Sequence, residues 1–216
     1  PGVQNIFNGV CGCWYDSVPA FFICGQVSTT EDLHNFTRNP RQAGFQEMPV
    51  PGILGHVSKV CLHLDSTLML TSCMRTLLKE LYEPRFGPVV LDLPVNLQMD
   101  TFVTTDDDYF ITNAPEVKTC DEYVQIVQRY LEQASRPLLL FGHGLRLAGA
   151  VDLAIRFAER TNTPFVLTWG AADVCSTQHP LRVGMIGVYG DRCANFAVQN
   201  ADLLIIVGAR MDTRQT

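Results

Sequence analysis

Residues 184–214 read GMIGVYGDRCANFAVQNADLLIIVGARMDTR. Three glycines spaced three residues apart punctuate a loop, residues 192–199 have helical periodicity, and residues 202–207 form an apolar strand that ends in a polar turn. Open α/β sheets bind ligands where loops leave the carboxyl ends of their strands. This stretch therefore predicts a sheet edge with a cleft large enough for a cofactor.

The rest of the chain alternates apolar strands with amphipathic helices. Strands are predicted at 20–25, 57–64, 88–94, 137–141, 165–168 and 202–207, and helices at 5–16, 67–82, 121–134, 147–160 and 192–199. Continuous apolar strands between helices are typical of parallel sheets that are covered on both faces. The predicted fold class is α/β, with parallel sheets flanked by helices.

One segment between these elements lacks periodicity. Residues 96–118 contain three consecutive aspartates, several threonines and a proline, which predicts a linker between two domains. The first domain then comprises residues 1–95. The second comprises residues 119–216, and its strand and helix alternation resembles one half of a Rossmann fold.

Composition narrows the class of partners. The formal charge of −6 argues against nucleic acid and anionic membranes, and no apolar run reaches the ~18 residues of a membrane span. The eight cysteines are scattered, and Cys11 and Cys13 lack the further ligands of a zinc site, so free thiols in a reducing cytoplasm are expected. The sequence predicts no metal ligands.

A second glycine loop follows the strand at 137–141. Gly142 and Gly144 nearly match G-x-G-x-x-G, whose backbone amides hold a phosphate, but Leu147 stands where the third glycine belongs. A tight turn explains the two glycines equally well. His143 between them has no carboxylate beside it in sequence, which favours a solvent-facing loop histidine over an acid or base.

The opening stretch supplies the other candidates for a ligand site. Glycines allow the backbone to approach a flat ligand closely, and arginines after a buried strand can hold a phosphate. An ion pair between Asp212 and a neighbouring arginine is the alternative. The candidate binding residues here are Gly184, Gly187, Gly190, Arg210 and Asp212.

Two polar residues of the first domain remain open to more than one interpretation. Asn5 fits the N-cap of the first helix. Gln46 ends a long polar loop at 26–46 and could orient a substrate with its donor and acceptor, although such glutamines often face only water.

Several segments together resemble the thiamine diphosphate-dependent enzymes of the acetolactate synthase type. The resemblance covers nearly the whole chain, and its motifs occur in the family's order. The matches are P-G-x-x-N at 1–5, D-S-x-P at 16–19, G-Q-V at 25–27, F-Q-E at 45–47, G-P-V-x-x-D-x-P at 87–94, G-M-x-G-x-x-G at 184–190 and A-D-L-L-x-x-x-G-A-R-x-D-x-R at 201–214.

The resemblance implies a fold, a cofactor and a reaction. Residues 1–95 would be the later part of a pyrimidine-binding domain and 119–216 a truncated Rossmann-like central domain, with the family's activating glutamate upstream and its Mg²⁺ site downstream. Pro1, Gly2 and Asn5 would lie near the thiamine pyrimidine, and Gln46 near the reactive carbon as the catalytic residue. Such enzymes decarboxylate a small 2-oxo acid and transfer the resulting carbanion to a second carbonyl, usually as homodimers or tetramers.

The family resemblance leaves two points open. Some members of the family bind FAD in the central domain. In this chain, Gly55 and His56 stand near the position of a basic residue that the flavin-binding members carry, and residues 169–173 differ from the usual segment of those members. Both differences count against FAD. The competing hypothesis is a non-catalytic nucleotide- or FAD-binding or assembly module. The fragment alone is expected to be inactive under either hypothesis.

Overall fold

The computed structural model describes residues 2–31, 40–102 and 121–215, which divide into two compact units, Pro1–Val117 and Lys118–Thr216. Pro1 and most of the predicted linker lie outside the described residues. The assignment of residues 1–95 and 119–216 to two named domains stays a prediction. Each unit contains one parallel sheet.

The first unit has a three-stranded sheet with β3 in its centre. Its elements in chain order are α1 (Val3–Asp16), β1 (Ala20–Gln26), α2 (Val50–Leu54), β2 (Val60–His63), α3 (Leu70–Tyr82), β3 (Pro88–Pro94) and α4 (Val95–Gln98). The spatial order is β1-β3-β2, and every pair is parallel. Strand β3 is buried at six of its seven positions, as expected for a central strand with helices on both faces.

Two apolar clusters hold this sheet between helices. On one face Val10 of α1 and Val50 and Leu54 of α2 pack against Val90. On the other face Leu77 of α3 packs with the β3 residues that point the opposite way. Because successive strand residues face opposite sides, one apolar strand can serve both clusters.

Several boundaries differ from the sequence predictions, and three of the differences have a clear local cause. Helix α1 begins at Val3 with Gly2 as its N-cap, so the interpretation of Asn5 as the N-cap is wrong; burial of Val3 in the core extends the helix by two residues. Strand β2 begins only at Val60, because α2 and a 3-10 turn at Gly55–Val57 precede it.

The third difference is in the second unit. The helix predicted at 147–160 is two helices, α6 (Gly144–Leu147) and α7 (Val151–Thr161). Gly149 separates them with a φ of +62°, a left-handed conformation that ends a helical run.

The second unit has a four-stranded parallel sheet. The further elements are α5 (Asp121–Gln133), β4 (Pro137–Phe141), β5 (Phe165–Leu167), β6 (Arg182–Met185), α8 (Arg192–Asn200) and β7 (Leu203–Val207). The spatial order is β6-β5-β4-β7, the order of a Rossmann half followed by its fourth strand. The predicted α/β class with parallel sheets flanked by helices is therefore confirmed.

This strand order creates a switch point between β4 and β7. The connection that follows β4 leads to β5 on one side, whereas β7 pairs with β4 on the other side. Loops that leave the carboxyl ends of these two strands diverge, and such a divergence is where doubly wound sheets form their crevice. Among the described helices, none is long and apolar enough to cross a membrane.

Candidate functional site

The glycines after β4 pack against the loop that follows β7. The Gly142 N–H donates to the Val207 carbonyl at 2.9 Å, and the Gly144 N–H donates to the Gly208 carbonyl at 2.8 Å. A Cβ on Gly142 would collide with the Gly208 carbonyl, and one on Gly144 would lie 2.7 Å from Gly208 Cα. The chain's own backbone therefore leaves no space for a side chain at either position, and a role of Gly142 and Gly144 in cofactor binding stays a prediction.

The glycines of the opening stretch are likewise in contact with the chain itself. Gly184 lies in β6 rather than in a loop, with a φ of +150°, and a Cβ there would meet the Asp191 carboxylate. Gly187 has a φ of +110°. The Gly190 N–H donates to the Gly187 carbonyl at 2.9 Å, and a Cβ on Gly190 would collide with the Met185 carbonyl. A role of these glycines in ligand approach stays a prediction.

The glycine loop at 184–190 lies in contact with the turn at 208–214, which is called the arginine turn because it contains Arg210 and Arg214. The Val188 N–H donates to the Arg214 carbonyl at 3.1 Å, while Asn195 of α8 bonds both the N–H and the carbonyl of Gly187, at 2.9 and 3.0 Å. The loop after β6 is thus tied to α8 and to the turn after β7. The structure brings together these two parts of the predicted cleft.

The arginine turn contains the predicted ion pair. Arg210 Nη2 lies 3.4 Å from Asp212 Oδ2, and Asp212 Oδ1 accepts the Arg214 N–H at 3.0 Å. Asp212 therefore holds the turn closed as well as pairing with Arg210. A half-exposed pair of this kind contributes little stability.

Aromatic side chains are exposed at the same edge. The rings of Trp169 and Tyr189 meet edge to face with centroids 6.0 Å apart, and both side chains are more than half exposed. The His143 ring packs over Gly170, with Nδ1 3.1 Å from its carbonyl oxygen. His143 is thus a loop histidine bonded to backbone.

The candidate residues of the first unit lie close in sequence to members of one apolar cluster. Gly2 is the N-cap of α1 and Asn5 is in its first turn, while Gln46 belongs to the connection between β1 and α2. Val3 and Met48, which are near these residues in sequence, pack in the same cluster. The roles of the candidate residues in holding the pyrimidine and the reactive carbon stay predictions.

Gln46 is presented by an unusual backbone. Its φ is +64°, rare for a residue with a side chain, and the side chain is exposed. The adjacent Glu47 is buried, and its Oε2 accepts the N–H groups of Ala43 and Gly44 at 2.8 and 3.0 Å. Left-handed non-glycine residues cost free energy and occur often at functional sites.

A polar network that the sequence did not predict surrounds a buried aspartate in the sheet of the first unit. Asp92 of β3 is 1% exposed; its Oδ2 lies 2.8 Å from His63 Nδ1 and 3.3 Å from Gln26 Nε2. In the ladder, His63 and Cys24 are the register partners of Asp92. An aspartate inside an apolar strand was the signal available in the sequence, because a buried carboxylate requires hydrogen-bond donors.

Two thiols share this side of the sheet. Burial first, and then the nearby Asp92 charge, raises the pKa of Cys24 to about 11 and that of Cys61 to about 12. Thiols with such pKa values are poor nucleophiles at neutral pH.

An apolar groove lies elsewhere in the second unit. It has a volume of about 600 Å³ and runs between α5 and α7 rather than across the strand ends. Its lining residues are Tyr123, Val124, Val127, Gln128, Leu131, Glu132, Phe157 and Thr161. In residues 2–31, 40–102 and 121–215, no three His, Cys, Asp or Glu side chains are grouped so that they could hold a metal ion.

Known proteins resemble the chain along its whole length. Residues 124–216 match the thiamine pyrophosphate enzyme central domain family. The chain is 32% identical to the acetolactate synthase isozyme 2 large subunit of Escherichia coli over 216 residues, which are 100% of this chain and 38% of that protein. It is 33% identical to the acetolactate synthase large subunit of Parasynechococcus marenigrum over 225 residues, 100% of this chain and 34% of that protein.

A third relative, the acetolactate synthase large subunit of Lactococcus lactis, is 28% identical over 99% of this chain and 36% of its own length. The chain thus spans between a third and two fifths of the length of these relatives. The resemblance predicted from the motifs is confirmed, and the alternative of a non-catalytic module is not favoured.

Proposed function

We propose that this chain, a relative of the thiamine diphosphate-dependent acetolactate synthases, is part of an enzyme that decarboxylates a small 2-oxo acid and joins the remaining carbon unit to a second carbonyl compound. The observation that supports the proposal best is the similarity to synthase large subunits from the first residue to the last. The packing of Val3 and Met48, neighbours of the candidate residues in sequence, in one apolar cluster agrees with it.

The residues present fit thiamine diphosphate by their chemistry. Asn5 and Gln46 are exposed, and in the part of the chain that the structure describes no protein group bonds their side-chain amides. Each amide offers a donor and an acceptor, which suits the ring nitrogens and amino group of a pyrimidine and the carbonyl of a 2-oxo acid. When bound, thiamine diphosphate supplies the electron sink for decarboxylation.

Each residue then has a defined task. Pro1, Gly2 and Asn5 hold the pyrimidine, Gly2 by leaving room for the ring and Asn5 by hydrogen bonds. Gln46 donates its amide N–H to the substrate carbonyl oxygen, which orients the substrate and favours negative charge there.

The proposal also covers the metal, the oligomeric state and the role of the second unit in the full-length protein. The Mg²⁺ that binds the diphosphate would be held by residues outside this chain, and the working enzyme would be a homodimer or tetramer. In the second unit, the cleft between the glycine loop at 184–190 and the turn at 208–214 would take part in subunit assembly or bind a nucleotide. Its described residues do not specifically favour FAD.

A titration of the full-length protein tests this proposal. Thiamine diphosphate with Mg²⁺ should bind measurably in a calorimeter, and pyruvate should be decarboxylated only in their presence. Gln46→Ala should lower kcat by about 10²-fold, the range seen when one positioned donor is removed, whereas the exposed Gln98→Ala should retain activity. No cofactor binding would refute the proposal.

A further inference from the structure

The Gln26 side chain bonds the segment that follows Gln46 to the sheet. Gln26, the last residue of β1, donates its Nε2 to the Met48 carbonyl at 2.7 Å and to Asp92 Oδ2 at 3.3 Å. Its Oε1 accepts the Val27 N–H at 3.0 Å. One amide therefore links the end of β1, the centre of the sheet and the backbone two residues after Gln46.

The anchor on the sheet side is rigid. Asp92 is almost fully buried in the central strand, and its Oδ2 also pairs with His63 Nδ1 at 2.8 Å. His63 in turn has Asp65 Oδ1 3.9 Å from its Nε2. Gln26 therefore bonds a partner that is itself buried in the sheet and paired with a second side chain.

The turn is closed on its other side by Glu47. The Glu47 carboxylate accepts the N–H groups of Ala43 and Gly44, and the Gln42 amide donates to the Glu47 carbonyl at 3.1 Å. These bonds shape the turn itself, but they do not attach it to the sheet. The bond from Gln26 to Met48 does attach it, together with the packing of the Met48 side chain in the apolar cluster that contains Val90.

We infer that Gln26 is a positioning residue for Gln46: through its paired bonds to Met48 and Asp92 it sets the distance between the Gln46 turn and the carboxyl edge of the sheet. The inference rests on the proposed function of Gln46. A displacement near 1 Å at a reacting group lowers rates by as much as 10²-fold, so the loss of this bridge should affect turnover more than cofactor affinity.

The test uses two variants of the full-length protein and one control. Gln26→Glu replaces the donor with a carboxylate that faces Asp92, and Gln26→Met removes the hydrogen bonds at similar length without adding charge. Gln98→Glu is the control, because Gln98 also donates to a backbone carbonyl, that of Leu93 at 2.7 Å, in the same unit. Steady-state kinetics with pyruvate, cofactor titration and thermal unfolding are measured for each.

Both Gln26 variants should lower kcat at least tenfold, with the dissociation constant for thiamine diphosphate changed less than twofold and the Gln98 control unaffected. Combining Gln26→Met with Gln46→Ala should give no further loss beyond Gln46→Ala alone, because both act through one group.

Two outcomes would overturn the inference. Gln26→Met with full turnover and an unchanged melting temperature would show that the bridge is dispensable. Losses in Gln26→Met and Gln46→Ala that multiply would show that Gln26 acts by another route. If Gln46→Ala alone has no effect, the proposed role of Gln46 fails instead, which separates the two conclusions.

Discussion

The contact between Gly142 and Gly208 leads to a prediction that separates packing from ligand binding. In Gly142→Ala the new methyl carbon would collide with the Gly208 carbonyl and lie 2.6 Å from Ala209 Cα, about 1 Å closer than ordinary contact. Both neighbours are backbone, so relief requires the loops after β4 and β7 to separate.

The expected cost follows from that separation. Overpacking typically costs about 1–3 kcal/mol, and weakening the bonds from Gly142 and Gly144 to the β7 end adds about 1 kcal/mol. A total near 3 kcal/mol corresponds to about 100-fold faster opening-limited exchange. Hydrogen-exchange mass spectrometry of the full-length protein without ligand should show this increase in peptides that cover β4 and β7.

Gly9→Ala is the matched control. Gly9 lies within α1, and nothing is within 4 Å of a Cβ at that position. Alanine there should slow exchange of α1 slightly, because it favours the helix by about 0.5–1 kcal/mol. If Gly142→Ala leaves exchange at β4 and β7 unchanged but abolishes nucleotide binding, the packing explanation is wrong and the glycine serves a ligand.

Three further outcomes are expected. Leu139→Ala in the core of the second unit should lower the free energy of unfolding by about 2–5 kcal/mol in urea titrations, whereas the exposed Leu153→Ala should change it by less than about 0.5 kcal/mol. At pH 8, iodoacetamide should label exposed Cys193 well before Cys61, because the pKa of Cys61 is raised to about 12 and little thiolate forms; equal rates by mass spectrometry would contradict this. Asp202→Asn should destabilise the protein at pH 7 but not near pH 2. Backbone N–H groups lower the pKa of Asp202, so the stability that the carboxylate contributes is present above the ordinary pKa of 3.8 and is lost as the pH falls. An equal difference in urea midpoint at both pH values would be evidence against this prediction.

The strands were largely predictable, and the reason is their burial. Short apolar runs between helical segments, such as 88–94 and 137–141, are typical of buried parallel strands, and the structure has a strand at both. Boundaries failed where local backbone geometry decided them: Gly149 splits a periodic helical pattern, and a 3-10 turn at Gly55–Val57 precedes β2. Periodicity carries no signal for either.

The site was predictable only in part. Motif order led to Gln46, but the bridge from Gln26 to Asp92 joins residues 66 apart in sequence, and only the register of β1 beside β3 brings them together. For Gly142 and Gly144, the sequence showed that small residues were needed but not that the space is filled by the loop after β7.

The strand order of the second unit also predicts the order in which its strands pair during folding. Strand β4 pairs with β5, which follows it in the chain after a helical connection. Its other neighbour, β7, is much farther along the chain, as the bond between Arg136 and Asp202, 66 residues apart, shows. Closing so long a loop costs more chain entropy, so β7 is expected to join last, onto a sheet already formed by β4, β5 and β6. The cleft between Gly142 and Arg210 then comes into existence only in the final step of folding, and a nascent chain that stops before β7 would have the sheet without the site.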